Sequence, residues 1–158
     1  MSSSKPESKP DRLSAAAARY ARTGVRSARE ALAYLRRAGA SPTLAARLVA
    51  QCRARGLVDD RACARLVAEH WARRGYAWSA IRTKLLDKGL DDDAIARAAA
   101  QVGAERTDQE RARAVSTSVL RRTRGRVLRA GSLARVLASR GFDEDLIEQI
   151  LSEFPRLD

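Results

Sequence analysis

The chain has 158 residues, of which 31 are Lys or Arg and 19 are Asp or Glu, giving a formal net charge of +12; 45% are hydrophobic but only 4% aromatic. That length suits one domain or a short array of repeats, and cores made of Ala, Leu, Val and Ile suit small helical units rather than a thick β-sandwich. So basic a balance points to an anionic partner, such as nucleic acid, a membrane surface or an acidic protein face. Cys52 and Cys63 form no CxxC pair and fall on apolar helix faces, so they read as buried free thiols in a reducing cytosol. No apolar run approaches the ~18 residues of a membrane span. The opening MSSSKPESKPDR lacks the apolar centre of a signal peptide, and the cytoplasm is the expected location.

Taken in order, residues 1–26 read as a disordered basic tail, because Ser, Lys and Pro fill the first dozen positions. Leu13 to Ala21 is Ala-rich and transiently helical at most, with Gly24 interrupting it. The first ordered helix is expected at Ser27, where Ser27-Ala28-Arg29-Glu30 matches a capping box, with Leu32, Leu35 and Ala38 facing inward and Gly39 as its stop. Ser41 caps a second helix with Pro42 in its first turn, Leu44, Leu48 and Cys52 along its stripe, and Gly56 closing it. Asp59 and Asp60 then begin a helix whose stripe is Cys63, Val67 and Trp71, flanked by Leu66 and His70; Arg73 and Arg74 suit its last turn and Gly75 ends it. The next helix turns Trp78, Ile81 and Leu85 inward, leaves Arg82, Lys84 and Lys88 outside, and ends at Gly89. Asp91 begins another, with Ile95, Ala98, Ala99 and Val102 inside.

An internal repeat follows. Lys88-Gly89-Leu90-Asp91-Asp92-Asp93-Ala94-Ile95 recurs as Arg140-Gly141-Phe142-Asp143-Glu144-Asp145-Leu146-Ile147, while Asp60-Arg61-Ala62 pairs with Glu110-Arg111-Ala112 and Gly75 with Gly125. The spacing predicts an all-α fold of tandem three-helix repeats in an elongated array: a shortened first repeat over 27–58, a central repeat over 59–105 and a last one over 106–158. The expected core of the last copy is Ala112, Val115, Val119, Leu133, Val136, Leu137, Leu146, Ile150 and Phe154.

Little here resembles catalysis. The triplets Asp91-Asp92-Asp93 and Asp143-Glu144-Asp145 both follow a glycine stop and precede an apolar run, so helix capping explains them better than a metal does. His70 is the only histidine, leaving no material for a His-based metal cluster or a Ser/His/Asp arrangement. No phosphate-cradling glycine loop is present. No cofactor, no metal and no enzymatic activity are expected. The basic residues are more informative. From Arg111 to Arg140 there is no carboxylate, and Arg121, Arg122, Arg124 and Arg126 form a dense positive knob around Gly125; Arg73, Arg74, Arg82 and Lys84 hold the corresponding region of the central repeat. Some of these are solvated surface and nothing more. Stacked repeats would align the rest into a stripe suited to a phosphate backbone. Few aromatics are free to stack on bases, so sequence-specific reading is not indicated.

The stretch from Gly56 to Leu90 resembles the RecX family of recombination regulators. The positions that match its pattern are Gly56, Leu57, Asp59, Asp60, Ala64, Arg73, Gly75, Ile81, Leu85, Lys88, Gly89 and Leu90. Cys63 stands where the family usually has Phe. Upstream, Ala31 to Arg37 resembles the family's opening helix, and no middle helix ending in Lys-Gly is recognisable before Ser41-Pro42. The resemblance implies tandem helical repeats that bind a RecA–DNA filament, bridge its protomers and limit strand exchange, ATP hydrolysis and filament growth. It implies the RecA filament as partner; DNA held non-specifically by charge, no membrane and a monomer are expected beside it. The expected contacts are Arg73, Arg74, Arg82, Lys84, Arg121, Arg122, Arg124 and Arg126. The competing reading is a stand-alone DNA-binding or nucleoid-associated module without a recombinase partner.

Overall fold

The computed structural model describes residues 7–123 and 129–154. Among these are nine α-helices and no strand: α1 (Lys9–Arg22), α2 (Ala28–Arg37), α3 (Pro42–Ala54), α4 (Asp60–Arg73), α5 (Trp78–Asp87), α6 (Asp92–Glu105), α7 (Asp108–Arg122), α8 (Ala130–Ser139) and α9 (Glu144–Ser152). They pack as three successive triplets, α1–α3, α4–α6 and α7–α9, each around its own core.

Local chemistry sets the starts of most helices. Ser8 with Asp11, Ser27 with Glu30 and Thr107 with Glu110 each make a full capping box, in which side chain and backbone satisfy one another's free N–H groups. Ser41, Asp59, Asp91 and Asp143 cap α3, α4, α6 and α9 with side-chain oxygens. Inside the triplets the large side chains that leave solvent entirely are few: Leu35 in the first, Ile81 and Leu85 in the second, Leu133, Leu137 and Ile150 in the third. Each contributes roughly 1.5–3 kcal/mol of burial. Alanines such as Ala17, Ala45, Ala64, Ala68 and Ala112 fill the remaining contacts and let the helices approach closely.

The N-terminal segment departs from expectation. The tail expected over 1–26 contains α1, which buries Leu13, Ala17, Ala18 and Ala21 and packs on α2 and α3. Pro10, read as a mark of disorder, lies in the first turn of that helix, where its missing N–H costs nothing. The first repeat is therefore a full triplet, not a shortened one. Ala31–Arg37 belongs to its middle helix, α2, and Ala38-Gly39 stands where the later triplets have Lys88-Gly89 and Arg140-Gly141. Leu32 and Ala38, expected inside, face solvent, as does Leu66. The repeat register also shifts by two. Counting from the N-caps Asp59 and Thr107, Asp60 matches Asp108, Cys63 matches Arg111 and Ala64 matches Ala112. Gly125, paired with Gly75 by sequence, lies outside the described residues.

The triplets join through one arrangement used twice. At the first junction the start of α2 meets the end of α5: Ser27 Oγ donates to the Lys88 carbonyl (2.5 Å), the Ala28 N–H donates to Asp60 (2.8 Å) and the Arg29 guanidinium donates to the Asp87 carbonyl (2.7 Å). At the second, the start of α5 meets the end of α8. The Ala77 N–H donates to the Arg140 carbonyl (2.9 Å), Ser79 Oγ to the Gly141 carbonyl (2.5 Å) and the Trp78 N–H to Asp108 (3.0 Å). α5 has no side-chain cap of its own, so a carboxylate of the next triplet takes that role. Gly141, at φ +84°, admits this approach; a Cβ there would sit 2.7 Å from the Ala80 Cβ.

Candidate functional site

Beside the second junction lies an open cleft of about 270 Å³ lined by Arg73, Arg74, Arg106, Arg111, Arg122 and Arg140 over an apolar floor that includes Val115 and Val119. No carboxylate lines it among the described residues. The helix plan explains the convergence. Arg73 and Arg122 are in the last turns of α4 and α7, and Arg74, Arg106 and Arg140 are the C-caps of α4, α6 and α8. A helix C-terminus favours positive charge by typically 0.3–1 kcal/mol, which offsets part of the repulsion of gathering these groups. Four helix ends, those of α4, α6, α7 and α8, supply guanidinium groups to one opening, and Ala114, Val115, Ser118 and Val119 of α7 also line it.

Arg111 differs from the other five. It is 4% exposed, its Nη1 donates to the Arg106 carbonyl and its Nη2 to Asp108, and its Nε has no partner. Asp108 is shared, since it also accepts the Trp78 N–H. Next to the cleft, aromatic faces hold three of the cations. Lys84 Nζ stands 3.9 Å above the Trp71 ring, with the Arg74 guanidinium 5.1 Å from the same centroid, and Arg140 covers Tyr76 at 5.6 Å. Arg140 also donates to the Arg74 carbonyl across the junction.

Of the eight residues named from the sequence, Arg73, Arg74 and Arg122 come together in the cleft and Lys84 sits at its aromatic border. Arg82 and Arg121 are exposed but do not line it, and Arg124 and Arg126 lie outside the described residues. Arg106, Arg111 and Arg140 were not among the eight. Arg140 carried a signal, being the basic residue before the repeated glycine, and Arg111 lay in the carboxylate-free run. Arg106 carried none, since only the folded arrangement of the ends of α4, α6, α7 and α8 puts it beside the others. Not every arginine of the run is available. Arg113 is held by both oxygens of Glu153 (2.7 and 2.8 Å), a hydrogen bond that pulls the Glu153 carboxyl below its usual range and raises the Arg113 guanidinium above its own.

The acidic groups do structural work. Asp91 caps α6 through the Ala94 N–H (2.8 Å), Asp143 caps α9 through Leu146, and Asp93 pairs with Arg97 and Arg61. Among the described residues no group of three or more His, Cys, Asp or Glu is placed to hold a metal ion, and no helix is long and apolar enough to cross a membrane. Cys52 and Cys63 are both buried free thiols; burial raises both, Cys63 to about 11.

These features define a class: a tandem array of three-helix units with an arginine-lined opening where two units meet. Its fold is that of RecX. The chain superposes on the crystal structure of RecX from Lactobacillus salivarius with a TM-score of 0.71 at 18% identity, covering 91% of this chain and 95% of that one. A second crystal structure, of regulatory protein RecX, aligns with a TM-score of 0.67 at 21% identity over 89% of this chain and 72% of the other. At these identities the likeness is one of fold. No protein-family model matches the sequence, and none of the curated proteins does.

Proposed function

We propose that this protein is a RecX-like regulator that binds the RecA–DNA filament and restrains recombinase activity. The observation that carries the reading is the arginine cleft at the junction of the second and third triplets, on a fold shared with RecX over nine-tenths of the chain. An array of units can contact successive protomers of a helical polymer at once, and linked contacts raise avidity beyond any single one. Its guanidinium groups can face filament carboxylates and bound DNA, which favours rapid, salt-sensitive association. The proposed contacts are Arg73, Arg74 and Arg122 within the cleft, Lys84 beside it, the exposed Arg82 and Arg121, and Arg124 and Arg126 of the sequence's basic run. Restraint is steric and electrostatic, with no reaction of its own.

The test is the ATPase of purified RecA on single-stranded DNA, measured with increasing amounts of this protein. The expected result is a dose-dependent fall in hydrolysis, weakened by Arg73→Glu with Arg122→Glu. An unchanged rate at stoichiometric ratios, with DNA still retarded by this protein alone, would favour a stand-alone DNA-binding module instead.

A further inference from the structure

We infer that the cleft between the second and third triplets is a phosphate seat that receives the backbone of a single nucleic-acid strand, with Arg106 and Arg122 as its open forks and Arg111 as a fixed charge beneath them. The inference deepens the reading above by naming which groups take the strand and where.

Charge imbalance is the first argument. Six guanidinium groups share an opening of about 270 Å³, and Asp108 neutralises only one of them. The side chains of Arg73, Arg106 and Arg122 donate to no acceptor among the described residues. Arginine forks bind phosphate oxygens bidentately, and a strand supplies successive single negative charges along an open cleft. The volume of about 270 Å³ suits a short backbone segment of one strand, and a flexible single strand can bend its phosphates into the opening.

The second argument is Arg111. Burying a guanidinium costs several kcal/mol even after relaxation, and this one has the Arg106 carbonyl, a carboxylate shared with Trp78, and an unpartnered Nε. The fold does not require a charge there. Four residues past the equivalent N-cap, the second triplet has Cys63, which is equally buried at 2% exposure. The first triplet has Arg12 at this position, but exposed to solvent, so only the third buries a cation there; that is explained if an anion seats above it, where the low local dielectric strengthens their attraction. Because the forks come from α4, α6, α7 and α8, an occupied seat would also tie the second triplet to the third.

The experiment uses the full chain and a fluorescent oligothymidylate, with anisotropy recorded across a salt series. Arg106→Gln with Arg122→Gln is compared with Arg12→Gln with Arg19→Gln, an equal loss of exposed charge on α1. The cleft pair is expected to make the slope of log affinity against log salt shallower by about 1.4, two released counterions at about 0.7 each for a single strand. The α1 pair should change it by less than half of that. Equal changes in both pairs would show diffuse attraction by net charge and overturn the seat, as would failure of the unaltered chain to bind the oligomer at low salt. A polyglutamate peptide of matched charge that binds more tightly than the oligomer, with the same loss in the cleft pair, would reassign the cleft to protein carboxylates. All the substituted side chains are exposed, so circular dichroism should show unchanged helicity; if the cleft pair melts early, Arg122→Gln against Arg19→Gln makes the same comparison. Loss of this effect with ATPase restraint intact sinks the seat alone, and the opposite outcome sinks only the recombinase reading.

Discussion

The repeated junction can be tested by placing one methyl group in two positions. Gly56 and Gly141 both have positive φ, +69° and +84°, so alanine at either incurs the backbone strain of the left-handed region, about 1–2 kcal/mol. Their surroundings differ. Around Gly56 a new Cβ meets nothing within 4 Å, whereas at Gly141 it would stand 2.7 Å from the Ala80 Cβ, 3.1 Å from Ser79 Oγ and 3.2 Å from the Ala80 backbone nitrogen. The last of these cannot swing aside as a flexible side chain would. Overpacking of this kind adds about 1–3 kcal/mol, and separating the surfaces would weaken the hydrogen bonds from Ser79 Oγ and the Ala77 N–H, worth about 0.5–1.5 kcal/mol each. Gly56→Ala should therefore cost about 1–2 kcal/mol, while strain and overpacking alone put Gly141→Ala at about 2–5 kcal/mol, with the weakened hydrogen bonds adding to that. Urea unfolding followed by far-ultraviolet circular dichroism measures both, and Gly141→Ala should also broaden the transition as the third triplet uncouples. Equal losses with equally sharp transitions would refute the idea that the Gly141 contact carries the coupling between triplets.

Asp108→Ala should destabilise the chain by about 3–5 kcal/mol, because it strands the buried Arg111 and removes the acceptor for the Trp78 N–H; thermal melts should show Asp92→Ala, at an exposed position, costing far less. Glu30 gives the first junction a pH dependence. Burial pushes its carboxyl up, but the Lys88 ammonium (2.8 Å) and the Ser27 N–H (2.9 Å) outweigh this and hold it below its ordinary value of 4.5. A lowered folded-state value means that this stabilisation is present above pH 4.5 and disappears as the pH falls through the folded value. Stability curves of Glu30→Gln should be flatter than those of the unaltered chain below that pH and otherwise parallel. Finally, Cys52 and Cys63 should resist a thiol reagent at about pH 8 until denaturant is added, since burial both shields them and disfavours the thiolate; rapid labelling of the native chain would contradict the packing of these helices.

The legible part of the fold was the part written in local chemistry. Capping residues at Ser27, Ser41, Asp59 and Asp91 and glycines after the apolar stripes placed α2 to α6, and the recurring Gly-Leu-Asp and Gly-Phe-Asp segments exposed the repeat. The core of the third triplet was also readable, with Leu133, Leu137 and Ile150 fully buried as expected. α1 was missed because its buried face is mostly alanine, which gives little hydrophobic contrast, and because Pro10 has the same appearance in a first turn as in a tail. The cleft was only half visible. Arg73, Arg74 and Arg122 advertise themselves as helix-end arginines, but nothing local to Arg106 says that it will share an opening with Arg140 from 34 positions later. That proximity is a product of how the second triplet leans on the third.

The borrowed cap of α5 gives the molecule a direction. Because the N–H of Trp78 is satisfied by Asp108, and that of Ala28 by Asp60, each triplet hands the start of its middle helix to the one that follows. A shuffled order would break this hand-over, and so would removal of the third triplet, which would leave α5 open at its first turn. The chain thus has a front and a back in the way a row of hooks and eyes does, and its triplets cannot trade places.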